Sequence, residues 1–228
     1  MRAGASGGGH LQTRRDNCKQ GNMNVFLLCK MAREAARGHS NKHVVKMILE
    51  MAQLLCTAHA VLDHNGAQVP VSVFGDGEHS APPKTYKPTH RNHPWAVAVR
   101  RDEKLYAWVA QLGLALCREY SKRYAGKKHA SQHLLECLLR VPPRKFRSAG
   151  FVPEAFTPKT ATRRITLRSG DKTLFAAQVP LAMPAEYAEQ HECAVQAYRS
   201  YYHSKDAIHT WEPRAKVPEW YAKATINC

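Results

Sequence analysis

Acidic side chains are scarce in this chain. Eighteen Asp and Glu stand against 34 Lys and Arg, leaving a formal charge of +16 over 228 residues. No carboxylate cluster is present to hold Mg²⁺, which argues against a metal-dependent nuclease. The seven cysteines, at positions 18, 29, 56, 117, 137, 193 and 228, are odd in number and contain no C-x-x-C pair. Neither a disulfide framework nor a cysteine-based zinc site is therefore expected, and a reducing, cytoplasmic compartment fits. The pairs His90/His93 and His129/His133 have metal-compatible spacing, but no cysteine or carboxylate set joins them, so neither metal nor cofactor is expected. A Gly-rich phosphate loop, a G-x-S-x-G elbow and an H-E-x-x-H pair are all missing. Residues 1–22 lack the apolar core of a secretory signal. No apolar run is read as reaching the roughly 18–20 residues of a membrane span.

What is present is positive charge on an ordinary globular composition, 44% hydrophobic with a pI near 9.7. Such an excess attracts polyanions, of which nucleic-acid phosphates are the commonest soluble kind. Residues 1–22, rich in Gly and Arg, read as an unstructured extension, and residues 23–228 as one domain. At Met23 the character changes to Asn24-Val25-Phe26-Leu27-Leu28, a short buried segment. Long helices are predicted from Ser40 to Leu62, with Ser40 or Asn41 as cap, and from Asp102 to Tyr124. A shorter one covers Ser131 to Leu139, and a last one runs from Pro184 through Tyr202. The basic stretch from Arg140 to Arg168 is a candidate backbone-tracking arm. One hairpin is predicted where Arg164–Leu167 and Thr173–Ala176 flank Ser169-Gly170-Asp171. The expected fold is mainly α, a compact single-domain helical bundle with long basic loops and at most one small hairpin.

The first long helix carries the candidate chemistry. His43, Lys46, Glu50, Gln53 and Thr57 fall within a sector of roughly 80° on a helical wheel. Almost everything else from Val44 to Ala58 is apolar, so the helix is central and its polar stripe must face a cleft or an internal partner. Glu50 is the stripe's only carboxylate, one turn from Lys46. A lone carboxylate held by a cation and a histidine in a partly dry cleft suits general acid–base work. The plainer alternative is a solvated i,i+4 ion pair and a packed histidine.

A second feature is the segment Lys84-Thr85-Tyr86-Lys87-Pro88-Thr89-His90-Arg91-Asn92-His93-Pro94-Trp95, followed by Arg100 and Arg101. Cations and donors at Lys84, Lys87, His90, Arg91, Asn92, His93, Arg100 and Arg101 suit phosphates, as does Lys46. Tyr86 and Trp95 are candidates to stack on, or wedge between, bases. An ordinary solvated connection is the alternative.

This layout resembles the small pyrimidine-dimer DNA glycosylases of the endonuclease V type, whose first main helix bears a histidine and, seven residues on, a catalytic glutamate. His43 and Glu50 stand at that spacing. The cationic aromatic loop and the C-terminal Pro218-Glu219-Trp220-Tyr221 have counterparts too. The stretch from Asn24 to Tyr221 is also similar to uncharacterised phage-type proteins sharing the string H-V-V-K-M-I-L-E. The resemblance implies excision of a pyrimidine from duplex DNA with the nucleotide flipped out. The nucleophile would be an N-terminal α-amine, carried by Asn24 if the chain is processed after Met23, or otherwise water activated by Glu50. Family arginines one before and three after the glutamate are here Leu49 and Gln53. Gln53 can read a base edge or fill the space of a flipped base, so a modified pyrimidine is as fair a target as a dimer. A non-catalytic nucleic-acid-binding protein stands as the alternative function.

Overall fold

The computed structural model of the chain describes residues 25–75, 83–157, 160–170, 173–211 and 215–226. Its centre is α2, Asn41–Asp63, a 23-residue helix of which all but a narrow strip is buried. The composition that makes it a core helix also makes it long and apolar enough to cross a membrane, contrary to the expectation that no segment reaches that threshold. Lys46 and Glu50 are too few to lower the average. Here 72% of the helix's most apolar window is buried within the chain itself. A helix surrounded by protein needs the same greasy girth as one surrounded by lipid.

Ser40 occupies the N-cap position, but its side chain does not cap; its backbone N–H instead donates to the Tyr202 hydroxyl at 2.8 Å. At the other end the amides of His64 and Gly66 both return to the Ala60 carbonyl, and Gly66 takes the left-handed φ of +82° that the reversal requires. The second long helix, α4 (Glu103–Arg123), begins at Asp102, whose Oδ1 accepts from Lys104 N at 2.8 Å and Leu105 N at 3.4 Å. It packs against α2, α1 (Ala32–Arg37), α3 (Pro94–Val99) and α5 (Gln132–Arg140). Gly113 is what lets it come so close. A Cβ there would lie 3.0 Å from both δ-methyls of Leu135 and 3.3 Å from Met51 Cβ.

The hairpin forms where expected but extends further, β1 covering Thr162–Ser169 and β2 Thr173–Pro180. Ile165 opposes Ala177 and Leu167 opposes Phe175, so one face carries the apolar residues into the core. Two contacts tie the hairpin and α4 to residues 25–30, the irregular entry strand of chain that leads into α1. The Lys30 carbonyl accepts from Arg168 N and from Trp108 Nε1, both at 3.1 Å. Val25–Leu28 are buried as expected.

The predicted last helix is in fact two, α6 (Ala185–Glu189) and α7 (Ala194–His203), broken at 190–193, and α8 (Glu219–Ile226) follows. Helices α1, α3 and α8 were not anticipated; α1 and α3 have six residues each, too few to show periodicity. The proposed extension 1–22, and Asn24, lie outside the described residues.

Among the described residues, eight α-helices and one hairpin thus make a mainly α fold around one continuous core. Gly113→Val is expected to destabilise it by about 1–3 kcal/mol through overpacking against Met51 and Leu135, despite a better helix propensity, measured as a lower urea midpoint.

Candidate acid site and nucleic-acid interface

The polar stripe of α2 is not uniform. Its two ends are tied down inside the protein, and its middle meets solvent. At the N-terminal end His43, 5% exposed, shares a 2.8 Å hydrogen bond between Nδ1 and the Tyr202 hydroxyl. The rings of Phe26, Tyr202 and His209 each lie 5.0 Å from it, centroid to centroid. Tyr202 and His209 are themselves stacked at 4.2 Å. At the C-terminal end Thr57 donates to the Thr89 carbonyl at 3.1 Å and accepts from Thr89 N at 3.1 Å. The basic loop is thereby strapped across α2.

Glu50 lies midway, seven residues or about 10 Å along the axis from either anchor. It is 7% exposed. Its Oε1 is 3.0 Å from Lys46 Nζ, and the Lys46 side chain keeps 44% of its surface in solvent. Gln53, half-buried, follows on the same strip. The carboxylate is therefore tucked under the margin of the solvent-facing strip with a half-exposed cation beside it. That geometry differs from a fully solvated pair, because one partner has been desolvated and the other has not.

Burial separates the loop residues into two groups. Lys84, Lys87, His90, Arg91 and Asn92 are exposed, and they present cations and donors along one segment. His90 takes the left-handed φ of +50° and bonds Thr89 Oγ1 through Nδ1 at 2.7 Å. Tyr86 is half-buried with its hydroxyl 2.8 Å from Ser131 Oγ. The remaining members require correction. Trp95, expected to meet bases, is fully buried, and its Nε1 donates to the Tyr198 hydroxyl at 2.7 Å. His93 is the N-cap of α3, its Nδ1 accepting from Trp95 N at 3.2 Å. Arg100, 4% exposed, grips Glu154 through Nε at 2.6 Å and Nη2 at 3.0 Å, and donates through Nη1 to the Arg91 carbonyl at 2.6 Å. Arg101 donates to the Glu154 carbonyl and lies over the Phe156 ring at 4.3 Å. A bidentate, nearly buried guanidinium is a structural tie, not a phosphate ligand. The stretch Arg140–Arg168, read as a loose backbone-tracking arm, is thus moored at its one acid.

Reasoning from sequence missed Tyr202 and His209, which close the His43 end of the stripe from more than 150 residues away. No pattern in the sequence pairs them with α2. Among the described residues no group of three or more His, Cys, Asp or Glu is arranged to hold a metal. A cleft of about 600 Å³ opens elsewhere, between α1, α4 and β1, and Glu50 does not line it. In comparisons with known proteins, no family model, curated protein or solved structure matches this chain.

Burial makes the histidines poor bases. Desolvation, with Coulombic help from His39, His209, Lys46 and Lys205, brings His43 down to about 3. His39, His59 and His209 fall to about 4 for the same leading reason. All four are therefore neutral in the folded protein at pH 7, whereas the unfolded chain protonates them below the ordinary value of 6.5. Their contribution is present in full above that pH and is lost as pH falls toward 4. Each is worth up to about 1.4 kcal/mol per pH unit. Thermal midpoints measured from pH 7 to 4 should fall steeply below 6.5, and His43→Gln should lower proton uptake on unfolding at pH 5. A flat profile would contradict the buried neutral imidazoles.

The corrected loop makes a separate prediction. Trp95→Phe should lower stability by about 1–3 kcal/mol through the lost indole N–H bond to Tyr198 and the space left in the core yet leave DNA affinity unchanged in a filter-binding assay. Lys87→Gln with Arg91→Gln should do the reverse.

Proposed function

We propose that the chain is a DNA glycosylase that removes a damaged or modified pyrimidine, with Glu50 as its acid–base group. The observation that carries this reading is the placement of Glu50, a carboxylate withdrawn from bulk water at the edge of an open strip and held by a cation whose far side is exposed. The spacing of His43 and Glu50, shared with the endonuclease V type enzymes, and the exposed cations of the strapped loop support it.

In the proposed reaction the loop's Lys84, Lys87 and Arg91 hold the backbone while a flipped nucleotide enters over Lys46 and Gln53. Glu50 faces the positive charge that develops on the sugar as the bond from C1′ to the base breaks and the electron pair leaves with the base. Water attacking C1′ gives up its proton to Glu50. If the chain is processed to Asn24, its amine would replace water and form a Schiff base, after which elimination cuts the strand. Phe26, packed 5.0 Å from the His43 ring, holds the chain two residues after Asn24 at the stripe's N-terminal end. His43, neutral and bonded to Tyr202, is a positioning residue that fixes this end of the helix.

A second reading, DNA binding without catalysis, is favoured by the exposed Lys84–Asn92 surface, which needs no reaction to explain it. One experiment separates them. Duplex DNA carrying ultraviolet dimers or modified pyrimidines is incubated with the protein, and alkali-labile abasic sites are counted. The proposal expects site formation, slowed about 10²–10⁴-fold by Glu50→Gln with affinity nearly unchanged. No abasic sites on any such duplex, or an unimpaired Glu50→Gln enzyme, would leave only the binding protein.

A further inference from the structure

We infer that the cleft between α1, α4 and the hairpin is a second nucleic-acid site, built for a single strand whose phosphates lie on the rim and whose bases lie on the floor. This rests on the nucleic-acid half of the proposal above but not on Glu50. The cleft measures about 600 Å³, within the usual range for ligand sites. Five cations line it, namely Arg33 and Arg37 from α1, Arg118 and Lys122 from α4, and Arg168 from β1. Its floor is apolar, made by Met31, Leu114, Ala115 and Leu139.

Neutralisation inside the protein does not account for this charge. The one carboxylate in the lining, Glu119, is already 3.2 Å from the buried Arg123. Arg37 has an exposed partner in Glu34 at 2.7 Å, a pair screened by water. Arg168 touches the Met31 sulfur at 3.7 Å. Arg33, Arg118 and Lys122 have no acidic partner among the described residues. Moreover, Arg33 and Arg37 stand four apart on one helix, and Arg118 and Lys122 four apart on the helix packed against it. Like charges at that spacing oppose helix formation, so the fold bears an electrostatic cost that a polyanion would relieve. Adjacent clefts share Arg168 and Arg37 with this one and add Lys30 and Arg199, which continues the basic track along the entry strand.

The composition favours nucleic acid over an acidic peptide. Four of the five cations are arginines, whose planar forks match phosphate oxygens and stack on bases. Along either helix the paired cations are separated by a rise of about 6 Å, comparable to neighbouring phosphates of an extended strand. A recessed apolar floor receives an unpaired base, which a closed duplex does not offer. On the helical wheel the cleft-lining face of α4 is turned roughly 160° from Gly113, the point of closest approach to α2. A strand bound here therefore does not cover the Glu50 strip.

The test is fluorescence anisotropy of a labelled 12-nucleotide single strand, titrated with the full chain from 50 to 200 mM NaCl. Combining Arg33→Gln, Arg118→Gln and Lys122→Gln should weaken binding at least tenfold at the lower salt. The slope of log affinity against log salt should become shallower by about 2, at about 0.7 per lost phosphate contact. Because these side chains are exposed and mutually repulsive, the thermal midpoint of the triple variant should not fall. Glu50→Gln should bind the strand as the parent does. An unchanged slope in the triple variant overturns the inference, as does displacement of the strand by polyglutamate as effective as by unlabelled oligonucleotide, which would mark an acidic-peptide site. Abasic-site formation scored on the same proteins reports on Glu50 alone, so either idea can fail without the other.

Discussion

The structure is organised by the need to satisfy the few polar groups on a helix that is otherwise core on nearly every side. A buried polar atom without a partner costs on the order of 1–3 kcal/mol, and α2 carries His43, Glu50 and Thr57 at positions where water is largely excluded. Two distant elements meet that need for His43 and Thr57. Tyr202 of α7 bonds His43 and at the same time receives the Ser40 amide, so one hydroxyl secures both the start of the helix and its buried histidine. The loop before α3 brings both polar groups of the Thr89 backbone to Thr57. Glu50 is paired within its own helix, by a lysine that is still half in solvent. The middle of the stripe is thus the part that borders solvent.

The same accounting explains where the positive charge goes. Arginine is used here in two distinct ways. Arg100 and Arg123 are only 4% and 5% exposed and held inside the protein, the first by Glu154 and the Arg91 carbonyl, the second by Glu119, the His39 carbonyl and Asn41. They fasten α3 to the 151–157 segment and α4 to the junction of α1 and α2. The exposed cations are different in kind, because the scarce acids are already engaged in such ties. Among the described residues Arg33, Arg118 and Lys122 then remain as exposed charge with no ion-pair partner. Where such unpaired charge collects follows in part from which acids the core has claimed.

Much of the frame was legible because it depends on local rules. Asp102 ahead of an apolar period, the 63–66 stop and the Gly170 turn each declare an element boundary through backbone chemistry, and each stands within a residue or two of its expected place. The stripe from His43 to Thr57 was equally legible, since period 3.6 alone assembles it. Its unequal exposure was not, because that depends on Tyr202 and Thr89, which arrive from other parts of the chain. Trp95 shows the same limit from the other side. A tryptophan among cations and prolines has the composition of a base-stacking residue, yet its indole N–H found Tyr198 and its ring found the core. The composition of a segment says which groups are available; only the packing says which of them are spent.

That distinction bears on how a carboxylate in this fold would work. Along α2 the buried polar residues of the stripe, His43, Glu50 and Thr57, are not interchangeable, although sequence places them on one face. His43 has lost its capacity to exchange protons near neutrality, because burial and neighbouring cations push it down to about 3. Thr57 accepts from Thr89 N, and its one proton lies between the Gln53 carbonyl at 2.9 Å and the Thr89 carbonyl at 3.1 Å. Glu50 is the carboxylate of the stripe, 7% exposed and paired at 3.0 Å to a Lys46 side chain that keeps 44% of its surface in solvent, and on it the proposed chemistry rests. The anchors at either end fasten the helix about 10 Å on each side of that carboxylate, which under the proposed reaction is where placement would matter most.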